Sequence, residues 1–439
     1  MSFPRVIPIL LSVFAALPLT ASAQESSPTP EKGNVIFIHP DGTGASAWAA
    51  ARLVSVGPDG MLNWDRMEEM GVYRGHMKNQ MGATSHGGAT SHAFGVKVHW
   101  NSYGMDRTSP LISLSGRPNS ILIEAHESGL ATALVNSGHL AEPGTGVFAA
   151  SAPNRYETDD ITLQIIESGV EFILSGGEVL LLPEGEVGKF QRLGMRKDGL
   201  NLIERAEELG YEVVYTREEL LGLPPETPKV LGVFAAGHTF NDRPEEFLRE
   251  HELPLYLSWA PTVAEMTKAA LDFLSATGRQ FLLVVEEEGS DNFANSNNAV
   301  GAITALVRAD EAVGVAMEFV ENNPGTLVIS AADSDAGGLE VYPITNADSL
   351  VAETPIAEVT RNGGALDGRE GTGTPPFMSQ PDQFGHRWPF GIAWASFDDN
   401  LGGIVTKAHG LNAGLLPKNV DNTDIYRMMY ATLFGMWLQ

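Results

Sequence analysis

Three apolar segments of the chain each end in an acidic residue. These segments are Asn34–Asp41, Phe281–Glu286 and Leu327–Asp333. Apolar runs of this length are typical of parallel strands that are buried on both faces. Helical patterns lie between and after them, over Leu200–Leu209, Pro261–Leu274 and Ala302–Asn322. Because strands and helices alternate, the chain predicts an α/β fold with a doubly wound, mostly parallel central sheet flanked by helices.

The acidic residues that close these segments indicate where a ligand binds. In a doubly wound sheet, ligands bind beyond the carboxyl ends of the strands, which is where Asp41, Glu286 and Asp333 fall. Burying like charges together is costly unless cations neutralise them. The pattern therefore favours a site that holds divalent metal ions.

The first 23 residues have the pattern of a cleaved signal peptide. One basic residue, Arg5, precedes the apolar stretch Val6–Leu19 and the small residues Ala21-Ser22-Ala23. The alternative is an uncleaved membrane anchor, but two prolines in the stretch and its limited length argue against a stable span. We therefore expect an exported protein, periplasmic or extracellular, without stable membrane insertion.

The rest of the chain divides into a linker and one large domain. Residues 24–33 lack apolar periodicity and predict a solvated linker. Residues 34–439 predict a single catalytic domain. Within it, residues 338–386 are rich in Gly, Pro, Thr and Asp, which predicts an insertion that crowns or lids the site.

Charge and cysteine content exclude several classes of function. The formal net charge of −27 repels the phosphate backbone of nucleic acids, so we expect no nucleic acid as a specific partner. The chain contains no cysteine, which excludes thiolate metal ligands and a cysteine nucleophile.

Several motifs together resemble a known family in their order and spacing. They are His39-Pro-Asp41-Gly-Thr-Gly, Ala83-Thr-Ser85-His-Gly-Gly-Ala-Thr90 leading into Gly95-Val-Lys97, the pair Glu286 and Asp291, Ala331-Ala-Asp333, and the segment Arg196–Ile203. From about Asn34 to the C-terminus the chain resembles the alkaline phosphatases of secreted bacterial type. The resemblance implies a metal-dependent hydrolase of small phosphate monoesters with a broad substrate range, and it suggests a homodimer.

Ser85 and Arg155 match the catalytic residues of that family. Ser85 falls at the position of the serine nucleophile that forms a phosphoserine, and its Gly/Ala/Thr-rich turn predicts a helix start where backbone N–H groups hold phosphate. As a lone serine it would be read as an N-cap. Arg155 matches the arginine that clamps phosphate with a planar guanidinium, and its alternative is a surface arginine in a turn.

The resemblance also implies a set of metal ligands. Glu142 and Glu286 resemble the carboxylates of an auxiliary cation site, and Asp41 resembles the carboxylate that bridges this site to a catalytic metal. Asp291 resembles a ligand of the first catalytic metal, and Asp333 resembles a ligand of the second.

Two positions depart from the zinc enzymes of the family. Asn295, one helical turn after Asp291, and Ser334, directly after Asp333, stand where those enzymes have histidines. Amide and hydroxyl oxygens suit Mg²⁺, Ca²⁺ or Mn²⁺ better than Zn²⁺. We therefore expect divalent cations with Mg²⁺ favoured, although the family resemblance alone implies Zn²⁺.

A third family histidine comes from the C-terminal part of the sheet. His386, upstream of the apolar run that begins at Phe390, is the better match to it, and His409 is the rival.

Four further residues near these motifs are auxiliary candidates. His86 and His92 follow the nucleophile and replace small residues of the family pattern. They supply a displaced nitrogen ligand or a proton donor to the leaving oxygen, or they hydrogen-bond loop carbonyls. Thr84 and Thr145 lie beside Ser85 and Glu142.

Two alternative functions fit the same fold. A phosphodiesterase or a sulfatase is one, and Ser151-Ala-Pro-Asn-Arg155 resembles the sulfatase signature, but it lies beyond the nucleophile turn. The other is a catalytically weak relative that binds phosphate without turnover, which the two replaced histidines favour and the retained Ser85 and Arg155 oppose.

Overall fold

The structure is a computed structural model that describes residues 29–344 and 351–439. The predicted signal peptide, residues 1–23, and the first part of the predicted linker lie outside the described residues. In the part of the chain that is described, no helix has the length and apolar character needed to cross a membrane.

The described chain alternates strands and helices. The strands are β1 (Asn34–Pro40), β2 (Glu69–Arg74), β3 (Met105–Asp106), β4 (Ser109–Pro110), β5 (Ala131–His139), β6 (Phe172–Gly176), β7 (Glu212–Val214), β8 (Val230–Val233), β9 (Phe281–Glu287), β10 (Thr326–Ser330), β11 (Asp335–Ala336), β12 (Glu340–Pro343), β13 (Leu366–Gly368), β14 (Gly371–Thr372), β15 (Phe377–Met378), β16 (Pro389–Ala393), β17 (Asp399–Asn400), β18 (Val405–Gly410) and β19 (Asn419–Asp421). The helices are α1 (Ala45–Ser55), α2 (Ser85–Phe94), α3 (Ile121–Glu127), α4 (Pro143–Gly146), α5 (Thr158–Glu167), α6 (Leu202–Glu208), α7 (Arg217–Leu221), α8 (Glu245–Glu250), α9 (Val263–Ala276), α10 (Gly289–Asn295), α11 (Ala299–Asn322) and α12 (Asp424–Phe434).

A ten-stranded sheet forms the centre of the molecule, in the order β19-β2-β18-β10-β1-β9-β5-β6-β8-β7. The pairs from β10 to β7 are parallel, and β18 runs antiparallel to both β10 and β2. The three predicted strands are β1, β9 and β10, with β1 between the other two. The predicted α/β fold with a mostly parallel central sheet is therefore confirmed.

Both faces of the sheet are buried. On β1, Val35 and Phe37 belong to one apolar core, and Ile36 and Ile38 belong to the core on the opposite face. This explains the unbroken apolar run of β1, because alternate side chains of a strand point to opposite faces. Helices α1, α9 and α11 contribute to the second core, and α2, α3 and α12 to the first.

The predicted helices are confirmed, and their ends follow local chemistry. Helix α9 begins at Val263 because Thr262 and Glu265 form a reciprocal capping box. Helix α11 begins at Ala299, three residues before its predicted start, because the Asn298 side chain accepts the N–H of Gly301.

The register places four strand ends side by side. Ile38 of β1 pairs with Ser330 of β10, and Pro40 pairs with Glu287 of β9. Strand β5 continues the row, because Asn136 pairs with Glu286. The residues that directly follow these strands therefore emerge along one edge of the sheet.

The predicted insertion, residues 338–386, contains strands of a second, antiparallel sheet in the order β12-β16-β13-β14, with β15 on β16. Strand β16 lies beyond the predicted boundary. The chain then returns to the main sheet through β17, which pairs with β11. That residues 338–386 act as a crown or lid over the site stays a prediction.

Candidate active site

The nucleophile turn has the predicted local structure. Ser85 is the first residue of α2 and is only 5% exposed. Thr84, not Ser85, occupies the N-cap position, so the reading of Ser85 as an N-cap is wrong. The Thr84 hydroxyl donates to the carbonyl oxygen of Trp100 at 2.7 Å, and it forms no side-chain cap. The first N–H groups of α2 have no partner within the helix and can bind an anion.

Two glycines, one after β1 and one on α2, leave room for carboxylates to pack closely against the backbone. Gly42 follows Asp41 with a φ of +62°, and a Cβ at Gly42 would lie 2.5 Å from Oδ1 of Asp291. A Cβ at Gly88 would lie 2.4 Å from Oδ2 of Asp333. Gly88 is three residues after Ser85, so Asp333 packs on the same face of α2 as the predicted nucleophile.

Asp41 is fully buried at the centre of these groups. Its Oδ1 accepts the Gly42 N–H at 2.8 Å and lies 3.1 Å from Nε2 of His39. Burial would raise the pKa of Asp41, but His39 and hydrogen bonds that include Ser85 lower this pKa to about 2. His39 in turn contacts the Ala331 carbonyl at 2.9 Å. Asp41 is thus ionised and adjacent to the Ser85 hydroxyl.

Glu286 lies beside this pair. His39, Asp41 and Glu286 form a group whose ligand atoms lie within 4.8 Å of one another. One Glu286 oxygen accepts hydrogen bonds from Asn136 and from the Thr145 hydroxyl, the latter at 3.1 Å. Burial and the charge of Asp41 raise the pKa of Glu286 to about 7.

A further acidic group includes a residue that the sequence did not single out. Asp41, Glu288 and Asp291 form a second set of ligand atoms within 4.8 Å. Burial and neighbouring carboxylates raise the pKa values of Glu288, Asp291 and Asp333 well above their ordinary range. The carboxylates of this region are called here the carboxylate cluster, and they are Asp41, Glu286, Glu288, Asp291, Asp333 and Asp399.

The carboxylate cluster fits divalent cations. Among the described residues, buried oxygens of the cluster have no hydrogen-bond donor of normal geometry; these are Oδ2 of Asp41, Oε1 of Glu286, Oε2 of Glu288 and both carboxylate oxygens of Asp333. A buried carboxylate oxygen without a partner costs free energy. Cations held by these oxygens would remove that cost.

The side chains around Asp291, the predicted ligand of the first catalytic metal, differ from the prediction. The Asn295 amide nitrogen lies 3.2 Å from Asp291 and 2.9 Å from Asp399, while its oxygen accepts the Gly337 N–H at 3.0 Å. Asn295 is therefore beside Asp291 as predicted, but its amide oxygen faces away from the carboxylates. The sequence missed Asp399, which supplies another oxygen donor.

Neither predicted C-terminal histidine lies in the carboxylate cluster. His386 is in a surface loop with its side chain 66% exposed, and its partner is Asp382 at 3.5 Å. His409 pairs on β18 with Val328, toward the start of β10, and its ring lies 3.7 Å from Glu68. Both predictions are wrong, because in the part of the chain that is described neither ring reaches the cluster, whereas the carboxylate of Asp399 does.

The structure places Glu142 and Arg155 together, but with different neighbours from those expected. Arg155 binds one carboxylate oxygen of Glu142 at 2.9 Å. The other oxygen lies 2.9 Å from Nε2 of His139 and 2.9 Å from Nε2 of His238. We call His139, Glu142 and His238 the histidine cluster. Glu142 therefore faces two histidines that the sequence analysis missed, rather than Asp41 and Glu286.

His86 and His92 have distinct surroundings. Burial and the charge of Arg155 lower the pKa of His86 to about 3, so its ring is neutral. His92 is fully buried, and its Nε2 lies 2.7 Å from the Tyr73 hydroxyl, which favours a packing role. Ser334 is also fully buried, and its hydroxyl has no hydrogen-bond partner among the residues described.

The sequence of this chain matches a known protein family. Residues 32–362, well over half of the chain, match the alkaline phosphatase family model. The chain is 27% identical to the repressible alkaline phosphatase of Saccharomyces cerevisiae over 75% of this chain, but it spans only 59% of the yeast protein. It is 26% identical to the streptomycin-6-phosphate phosphatase of Streptomyces griseus, over 91% of this chain and 96% of that protein.

A solved structure agrees in fold. The alkaline phosphatase of Thermus thermophilus superposes with a TM-score of 0.71, covering 96% of each chain at 21% sequence identity. A structural likeness at 21% sequence identity shows the fold alone, whereas the family model matches most of the chain. The chain belongs to the alkaline phosphatase family.

Proposed function

We propose that this protein hydrolyses phosphate monoesters through a phosphoserine formed on Ser85. The observation that carries the proposal is the position of Ser85 at the start of α2, with its hydroxyl next to Asp41 and with Asp333 packed on Gly88 one turn further along the helix. An activated hydroxyl, an anion-binding helix start and neighbouring cation ligands are what transfer of a phosphoryl group requires.

In the proposed reaction, the Ser85 hydroxyl loses its proton and its oxygen attacks phosphorus. The bond to the ester oxygen breaks, and that oxygen takes up a proton as the alcohol leaves. Water then attacks the phosphoserine, which releases phosphate and restores the hydroxyl. The N–H groups that begin α2 and the guanidinium of Arg155 orient the phosphate oxygens. Divalent cations held by the carboxylate cluster would supply the positive charge that favours an ionised serine and an anionic leaving oxygen.

We propose Mg²⁺, Ca²⁺ or Mn²⁺, rather than Zn²⁺, for the carboxylate cluster. Its donors are carboxylate oxygens, and Asp399 stands where a histidine was expected. Hard cations prefer oxygen ligands, whereas imidazole suits Zn²⁺. Activity after chelation and reconstitution with each ion tests this proposal, and recovery with Zn²⁺ alone would contradict it.

A substrate panel with matched variants tests the function. The full chain should hydrolyse p-nitrophenyl phosphate faster than bis-p-nitrophenyl phosphate or p-nitrophenyl sulfate. Ser85→Ala should abolish turnover, and phosphate on the Ser85 peptide of the native protein should be detectable by mass spectrometry after acid quenching.

Ser91→Ala is the matched control, because Ser91 lies on the same helix and its hydroxyl donates to the Gly87 carbonyl at 3.2 Å. Turnover that survives in Ser85→Ala would overturn the proposed nucleophile. Sulfate or diester turnover above monoester turnover would instead favour the alternative enzymes.

We further propose export to the periplasm or the extracellular space and assembly as a homodimer. The pattern of residues 1–23 supports export, and the family resemblance supports the dimer. N-terminal sequencing of the mature protein and sedimentation analysis test these two points separately.

A further inference from the structure

The histidine cluster brings together three side chains from separate elements. His139 ends β5, Glu142 directly precedes α4, and His238 lies in the loop between β8 and α8. Both histidine Nε2 atoms lie 2.9 Å from the same carboxylate oxygen of Glu142. The ligand atoms of the three residues lie within 4.8 Å of one another.

We propose that His139, Glu142 and His238 form a separate binding site for a transition-metal dication of the Zn²⁺ type. Two imidazole nitrogens and one carboxylate oxygen are a donor set for four-coordinate Zn²⁺ with one open position. This site differs from the auxiliary site that the family resemblance implied for Glu142. The Glu142 oxygen that faces His139 and His238 is not grouped with Asp41 or Glu286.

Neighbouring side chains fix the orientation of the His238 ring. The ring packs on Phe240, with centroids 5.0 Å apart. Its Nδ1 lies 3.4 Å from the side-chain amide of Asn292. Two carboxylates orient that amide, because its nitrogen donates to Glu288 at 3.2 Å and to Asp291 at 3.3 Å. The amide oxygen is thereby left for the Nδ1–H of His238.

With Nδ1–H directed at Asn292, Nε2 is the ring nitrogen that faces Glu142. The carboxylate oxygen 2.9 Å away can accept a hydrogen bond from Nε2 only when the ring also binds a proton there, and a metal cation that both atoms bind would take the place of that proton. An outer hydrogen bond from Nδ1–H is the usual support of a metal-binding histidine. His139 lacks such support, since its Nδ1 has no partner among the residues described.

The site is open to an ion from solvent and fixed at its base. The side chains of His139 and His238 are 24% and 17% exposed, whereas Glu142 is 4% exposed. Arg155 binds the second oxygen of Glu142 at 2.9 Å and so fixes the carboxylate plane. Asp242, 3.9 Å from Nδ1 of His238, adds negative charge.

Cobalt titration of the chelated full chain in excess Mg²⁺ tests the proposal. Excess Mg²⁺ should occupy the oxygen donors of the carboxylate cluster. Added Co²⁺ should then bind at the histidine cluster, so its absorbance measures binding there. Four-coordinate Co²⁺ with imidazole ligands absorbs strongly in the visible range, whereas six-coordinate Co²⁺ with oxygen ligands absorbs weakly. We expect one equivalent of Co²⁺ to give a strong band, and Zn²⁺ to displace it.

Variants assign the band to residues. His238→Asn should weaken Co²⁺ binding by more than the about 10- to 100-fold that an outer-shell partner is worth, and His139→Gln should weaken it less. His99→Asn is the matched control, since His99 instead lies 2.6 Å from Asp106. Circular dichroism checks that each variant is folded.

Three results would overturn the proposal: no strong band in the native protein, an unchanged band in both folded histidine variants, or loss of the band in Asp333→Asn alone. The readout is metal binding without substrate. It therefore stands apart from the proposed phosphatase activity, and the failure of one leaves the other intact.

Discussion

The carboxylate cluster and the histidine cluster lie along the same edge of the sheet, and they shift the pKa values of their buried acids in opposite directions. In the first, burial and neighbouring acids raise the pKa of Glu286 to about 7 and raise the pKa of Asp333 well above its ordinary value. In the second, burial would raise the pKa of Glu142, but His139 and His238 lower it well below its usual range.

The difference lies in what compensates the charge. The carboxylate cluster contains more acidic groups than its neighbour His39 can balance, so we expect bound cations to stabilise it. Glu142 is balanced by Arg155 and by the histidines, so a metal at the histidine cluster replaces protons and is not needed for folding.

The largest expected effect comes from removing one charge of the carboxylate cluster. Asp333→Asn should lower kcat/KM by roughly 10²–10³-fold or more, because it removes a cation ligand next to Ser85. It should also raise the Tm of the metal-free protein, because a buried like charge is lost. Loss of activity together with a lower metal-free Tm would contradict the view of this cluster as uncompensated.

The next effect concerns the residue that joins the two clusters. Asn292→Ala removes the acceptor for Nδ1–H of His238 and should weaken Co²⁺ binding at the histidine cluster by about 10- to 100-fold. Asp242→Asn is the control, because its carboxylate is 3.9 Å away and 38% exposed. Equal effects of the two variants would show that charge, and not the tautomer, prepares the site.

A nitrogen donor can be introduced into the carboxylate cluster. Asn295→His places imidazole beside Asp291 and Asp399 and should shift its preference from Mg²⁺ toward Zn²⁺. Even about 1.4 kcal/mol from the new bond gives a tenfold change in the affinity ratio. Competition titration measures that ratio, with Asn295→Gln as an oxygen-bearing control. An unchanged ratio would mean that position 295 does not ligate.

The smallest effect is a pH slope in stability. The pKa of Glu286 rises from an ordinary 4.5 to about 7 on folding, so between these pH values the folded state binds a proton that the unfolded state has released. The free energy of unfolding of the chelated protein should therefore fall as the pH rises from 4.5 to 7. In a chain of 439 residues, each kcal/mol lost should lower Tm by about 1 °C.

Thermal unfolding with and without Mg²⁺ measures this slope. Bound Mg²⁺ should abolish or reverse it, since the ion competes with the proton for the same oxygens. A metal-free Tm that stays level or rises over this range would contradict the pKa shift of Glu286.

Strand ends could be predicted from the sequence because a single physical pattern determines them. The unbroken apolar runs of β1, β9 and β10 specify burial on both faces, and parallel pairing then brings Asp41, Asp291 and Asp333 to one edge. Ser85 could be placed because a run of small residues after a turn permits both a helix start and close packing.

Side-chain directions could not be predicted, because distant contacts set them. Glu142 faces His238, which is 96 positions away in the chain, and the Asn295 amide is turned by the Gly337 N–H. Asp399 could not be predicted from the family pattern, because that pattern has a histidine in this part of the chain. An acidic residue before a strand, such as Asp399 before β18, was the signal available.

Asp399 reaches the carboxylate cluster on β17, whose partner β11 begins two residues after Asp333. The chain arrives at β17 directly from β16 of the antiparallel sheet. An ion bound by both Asp399 and Asp333 would therefore also stabilise the pairing of β11 with β17 and the segment that leads there from β16. Amide hydrogen exchange along 389–400 should slow when the ion binds. A substitution that destabilises the pairing should weaken ion affinity by the same coupling free energy.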